Sequence, residues 1–95
     1  MKKSESDLQE LAKAVLQLRD EKEITAFLKD ILTSSERETV LLRWKVAKLL
    51  DEGVPYTQIE RETGASSATI AKVSEFLKYG YDGYRMALDR YNRRR

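Results

Sequence analysis

The chain of 95 residues has no cysteine and no histidine. Without thiols there are no disulfides and no thiolate metal sites. Without imidazole, the usual proton carrier at neutral pH and the commonest zinc ligand are also missing. Catalysis would fall to carboxylates, hydroxyls and amines, and no pair of these sits at a suggestive spacing in an apolar setting. There is no glycine-rich loop to cradle a phosphate. The expectation is a protein that is not an enzyme, with no metal and no cofactor. No apolar run approaches the ~20 residues of a membrane span. Met1-Lys2-Lys3 is not followed by a signal-type apolar segment, so a soluble cytoplasmic protein without a membrane partner is expected. A dominant sign of charge is lacking too: Lys and Arg number 18 against 16 Asp and Glu, a net charge of +2.

Only one proline and four glycines punctuate the chain. What fills it is Leu, Ala, Glu, Lys and Arg, all strong helix formers, with no strand-length alternation of apolar and polar residues. The expectation is an all-α fold of about six helices joined by short connections, one domain over residues 1–95. The first helix is expected to open near Ser6, with Gln9 completing a capping box and a stripe of Leu8, Leu11, Val15 and Leu18. Asp20 and Glu23 open a second helix, whose Ile24, Phe27, Leu28, Ile31 and Leu32 have the spacing of a buried face. Thr33 and Glu36 open a long third helix that runs to a stop at Gly53. It is apolar nearly all round through Val40, Leu41, Leu42, Trp44, Val46, Leu49 and Leu50. Such a helix must be enclosed on several sides, and in so short a chain a second copy is the simplest source of that enclosure. Thr57 and Glu60 read as a fourth box, opening a helix over about Gln58–Thr63 that ends at Gly64. Ser66 or Ser67 caps the next, which runs to about Lys78. A two-glycine turn then leads to a last helix over about Tyr84–Tyr91.

The segment 57–78 carries the functional signal. Ile59 on its first helix meets Ile70 and Val73 on its second, Ala65 tucks in after the turn, and Gly64 permits the positive φ such a turn demands. With 70, 73 and 77 facing inward, the opposite face of the second helix presents Ser67, Ala68, Ala71 and Lys72. Small residues let a helix sink into the ~12 Å major groove, and Ser66 leaves the helix N-terminus aimed at phosphate. This is the helix-turn-helix pattern, with the second helix as recognition helix and double-stranded DNA as partner. Charge is thin over the motif: residues 54–79 hold three basic and three acidic side chains. The basic excess sits in residues 80–95, five against two, and a basic tail at 90–95 can reach for phosphates.

The stretch Leu32-Thr-Ser-Ser-Glu-Arg-Glu38, then Arg43, then 57–78 with Thr69-Ile70-Ala-Lys72, resembles the Trp repressor family. The ending Phe76-Leu-Lys-Tyr-Gly-Tyr-Asp-Gly-Tyr84 is similar more narrowly to its YerC/YecD group. The likeness covers about residues 8–90. It implies an intertwined homodimer with two helix-turn-helix heads reading successive major grooves of a palindromic site, acting as a repressor. It places DNA contacts on Thr57, Ser67, Ala68, Ala71 and Lys72. It also implies a small-molecule corepressor pocket, onto which Thr33, Arg43, Lys72 and Phe76 map. Two departures stand out there. Lys72 replaces an arginine, keeping charge but losing a planar stacking surface. Phe76 replaces a serine beside the ligand's amino group. The expected effector is therefore something other than free tryptophan, if one exists, and Thr33 reads better as a helix cap.

Trp44 reads as core. Tyr79, Tyr81, Tyr84 and Tyr91 read as the aromatic contacts that dock the last helix, and Glu60, Arg61 and Glu62 as a solvated face. Two function classes follow: a DNA-binding transcriptional regulator, and a helical protein-interaction module that kept the architecture without DNA.

Overall fold

A computed structural model describes residues 3–94. They form six helices: α1 (Lys3–Leu16), α2 (Glu21–Ile31), α3 (Ser34–Asp51), α4 (Tyr56–Thr63), α5 (Ser67–Tyr79) and α6 (Gly83–Arg94). Among the described residues there is no strand, so the fold is all-α. The chain divides into two compact units, one ending at Arg37 and the other beginning at Glu38, within α3.

In the first unit, local chemistry sets the helix ends. The Asp20 side chain accepts the Glu23 amide at 2.9 Å. Glu23 reaches back to the Arg19 amide at 2.8 Å and ion-pairs its guanidinium at 2.7 Å. Thr33 and Glu36 close a reciprocal capping box, at 3.1 and 2.9 Å, as their spacing predicts. The Arg37 guanidinium donates to the carbonyls of Lys29 and Leu32 at the end of α2, satisfying acceptors that a helix terminus leaves open. At the other end of the unit, helix is already present at Lys3, so Ser6 lies inside α1 and does not open it. Glu5 in the first turn complements the helix dipole there. Leu18 falls beyond α1. No described residue of this unit is buried, and Leu8, Leu11, Leu16, Leu28 and Ile31 are exposed. The apolar faces that the spacing marks for burial are thus only partly covered, with Val15, Leu18, Ile24, Phe27 and Leu32 half-buried.

The second unit has the core. Val46 and Ala47 of α3, Ile59 of α4, Ala65 of the turn, Ile70 and Val73 of α5 and Leu88 of α6 are buried together. Leu42, Trp44, Leu49, Leu50, Val54, Leu77 and Tyr84 pack around them. Each large aliphatic side chain so buried is worth about 1.5–3 kcal/mol. Helix α3 stops in a Schellman motif: the Val54 amide bonds Leu49 O and the Gly53 amide bonds Leu50 O, each at 3.0 Å, with Gly53 at φ 81°. Helix α6 is tied back to α3 by the Arg85 guanidinium, which bonds Asp51 and Asp89 at 2.8 Å each. The Trp44 and Tyr91 rings meet edge to face at 5.9 Å. Trp44 is thus part of the packing around the core, as expected. Tyr84 and Tyr91 do dock α6, but Tyr79 and Tyr81 are 84% and 93% exposed. They sit on either side of Gly80 and, contrary to expectation, are not packed into the core.

Candidate nucleic-acid interface

Helices α4 and α5 are joined by Gly64, Ala65 and Ser66. Ile59, Ala65, Ile70 and Val73 are the buried contacts that the spacing predicts, at 0–4% exposure. Gly64 takes φ 76°, and its amide bonds Glu60 O at 2.9 Å. The start of α4 corrects the sequence reading. Pro55 occupies the cap position with no side-chain cap bond, and the helix begins at Tyr56. Thr57 is therefore an exposed residue inside the first turn and not the cap. The physical reason is that proline at φ −62° already supplies the extended entry a cap residue must adopt.

Ser66 is the cap of α5. Its Oγ accepts the Thr69 amide at 3.1 Å, and its hydroxyl lies 3.1 Å from Thr69 Oγ1. The side chain is thus turned onto its own helix, leaving the remaining first-turn amides to face outward. Burial of Ile70, Val73 and Ser74 fixes one face of α5. On the other, Ser67, Ala68, Ala71 and Lys72 are all exposed, followed one turn later by Glu75. All six residues expected to touch DNA, from Thr57 to Lys72, are thus exposed on the α4–α5 hairpin. Sequence reading missed Thr63, whose Oγ1 donates to Ile59 O at 2.7 Å and accepts the Ala65 amide at 3.0 Å. Its only sequence signal is a hydroxyl immediately before the turn glycine.

Arg43, Lys72 and Phe76 line one cavity of about 690 Å³ in the second unit, with Trp44, Val73, Tyr81, Gly83, Tyr84 and Ala87. Thr33 belongs to the first unit and is spent on its capping box. The cavity wall carries two cations and no carboxylate. Of the tail residues, Arg90 and Arg93 are exposed parts of α6, and the Arg93 guanidinium donates to Asp89 O at 3.3 Å. Arg95 lies outside the described residues. Glu60 is half-buried, whereas Arg61 and Glu62 are the exposed polar face expected. Among the described residues no group of acidic side chains could hold a metal ion, and no helix is long and apolar enough to cross a membrane.

A tight helical hairpin that buries one side of its second helix and keeps a small-residue edge clear on the other defines a helix-turn-helix protein. Residues 6–92 match the Trp repressor protein family, and the chain belongs to it. It is 45% identical over 84 residues to the uncharacterized protein YerC of Bacillus subtilis, a match covering 88% of this chain and 81% of that protein. It is also 45% identical over 53 residues to a Trp operon repressor homolog of Actinobacillus succinogenes, covering 55% of this chain and 52% of the homolog. Among solved structures, a provisionally assigned Trp repressor from Staphylococcus aureus superposes with TM-score 0.84 at 41% identity, covering 92% of this chain and 87% of that one. A TrpR like protein from Eubacterium eligens does so with TM-score 0.84 at 38% identity, covering 92% and 90%. The family is one of regulators, not of enzymes.

Proposed function

We propose that this protein is a cytoplasmic, sequence-specific DNA-binding transcriptional repressor that acts as a homodimer on a palindromic site. The observation that carries the reading is the exposed edge of α5. Ser67, Ala68, Ala71 and Lys72 are clear of the chain's own packing while Ile70 and Val73, on the opposite face, are locked in the core. Phosphate contacts through the α5 N-terminus and Lys72 position the helix, and the small side chains allow close, water-bridged approach to base edges. Water-bridged base contacts are known from the Trp repressor itself, and family membership is what extends them to this chain.

The homodimer is supported by the first unit. Leu8, Leu11, Leu16, Leu28 and Ile31 on α1 and α2 are exposed, an apolar surface that a second copy would cover, so that the expected single domain is shared between two chains. Dimerisation also places two recognition helices at once, about one DNA turn of ~34 Å apart. That compensates for a motif whose own charge sums to zero over residues 54–79. The effector, where there is one, is not free tryptophan. The cavity beside α5 offers the cations Arg43 and Lys72 but no carboxylate to receive an ammonium group, and Phe76 forms part of its wall.

The zero charge of the motif favours a second reading, a helical interaction module without DNA. Selection of duplexes from a random pool by the purified protein separates the two. Recovery of a two-fold symmetric consensus, lost in Lys72→Glu, supports the repressor. Failure to retain the protein on heparin or on random DNA at low salt supports the module.

A further inference from the structure

The two left-handed glycines end their helices differently. At Gly53 the following amide, Val54, is taken by a helix carbonyl, Leu49 O, in the six-residue closure of a Schellman motif. The equivalent bond at Gly64 would run from the Ala65 amide to Glu60 O. That carbonyl is instead taken by the Gly64 amide, in the shorter αL closure. The Ala65 amide is thereby left without a helix carbonyl, at a residue only 4% exposed. The Thr63 hydroxyl receives it, at 3.0 Å. The same hydroxyl donates a hydrogen bond to Ile59 O at 2.7 Å, and Ile59 is fully buried in the core. One oxygen therefore links the last turn of α4 to the residue before the cap of α5. A buried amide has to be paired, so removing that oxygen leaves the turn with a reason to rearrange to the other closure, rotating Ala65 and Ser66 with it.

We propose that Thr63 is the positioning residue of the recognition helix: its hydroxyl selects the αL turn over the Schellman turn and so sets the angle at which α5 leaves α4. The consequence is discrimination between DNA sites, not the strength of phosphate contact. Ser67, Ala68 and Ala71 are short, and a small tilt of α5 moves them out of register with the bases, while Lys72 on its flexible stem still reaches phosphate. This inference rests on the DNA-binding reading.

The test compares wild type, Thr63→Val and Thr63→Ser. Valine keeps the volume and branching and removes the hydroxyl; serine restores the hydroxyl and removes a methyl group. Binding is measured on the duplex selected by the wild-type protein and on the same duplex with both half-sites scrambled, at a temperature where all three variants are folded. The Ala65 amide is followed by hydrogen exchange. Thr63→Val is expected to lose about tenfold in the ratio of specific to scrambled affinity, with scrambled binding within twofold of wild type and faster exchange at Ala65. Thr63→Ser is expected to keep the ratio within about twofold. A Thr63→Val protein that discriminates as wild type does overturns the proposal, as does an equal loss of both affinities. A random pool from which the wild-type protein selects no duplex overturns the DNA-binding reading and takes the proposal down with it.

Discussion

Gly64 sits at φ 76° with nothing within 4 Å of where a Cβ would lie, and Gly53 sits at φ 81° in equally open space. Alanine at either position therefore meets no clash, and the cost is backbone strain alone. The left-handed region costs an L-residue about 1–2 kcal/mol. Loss of glycine's extra freedom in the unfolded chain returns about 0.4–1 kcal/mol. The net destabilisation is about 1 kcal/mol for each variant, a fall in Tm of roughly 4–8 °C for a domain of this size. Thermal unfolding at one fixed protein concentration measures it, since Tm depends on concentration for any chain that self-associates. The two variants should then part company on DNA. Gly64→Ala strains the turn that aims α5 and should weaken binding to the selected duplex. Gly53→Ala, strained equally at the end of α3, should bind as wild type once both are measured well below their Tm. Gly64→Asn should recover part of the lost stability, because asparagine tolerates this region. A Gly64→Ala protein as stable as wild type, or a Gly53→Ala protein equally impaired on DNA, would refute the reasoning.

Further outcomes follow from the same geometry. Ile70 is fully buried between α4 and α5, so Ile70→Ala should cost about 2–5 kcal/mol, read from urea unfolding; a loss under about 1 kcal/mol would place it outside the core. Three carboxyls are held below their ordinary range: Glu23 by the Arg19 side chain and amide, Glu36 by the Thr33 amide and hydroxyl, and Asp89 chiefly by Arg85. A lowered folded-state pKa gives stability that is present above the unfolded value and lost as pH falls through the folded one. The urea midpoint should therefore be flat through neutral pH and decline below about pH 4.5, less steeply in Glu36→Gln; a decline beginning above about pH 6 would contradict this. Calorimetry with L-tryptophan should show no saturable binding at micromolar concentration, and saturable heat would reverse the effector reading.

The hairpin was legible because its signals are local and mutually consistent. The 59, 70, 73 spacing, Gly64 at the turn and Ser66 at the cap each limit the chain in the same direction. The capping pairs Asp20–Glu23 and Thr33–Glu36 were legible for the same reason. Thr57 was misread because Thr-x-x-Glu is only a pattern, and Pro55 two residues earlier already fixed the entry to α4. The Thr63 clamp was illegible because it depends on which of two closures the turn adopts, a choice the spacing does not register. Arg85 bridging Asp51 and Asp89 was hidden by sequence separation: only the Asp89 partner lies one helical turn away. The reach of α6 to Arg94 was masked by an arginine run that resembles a solvated end. In the first unit the apolar faces were plain in the sequence, but their spacing does not register which surface covers them.

The most direct test of the account is a backbone-amide NMR titration of the protein with its selected duplex. The largest shifts should fall on Ser67, Ala68, Ala71 and Lys72, with Ser66 and Thr57 at the margin and the buried positions 46 and 88 little changed, at one duplex per two chains. Shifts confined to Arg90 and Arg93, or an α5 edge that does not respond while DNA is bound, would contradict it.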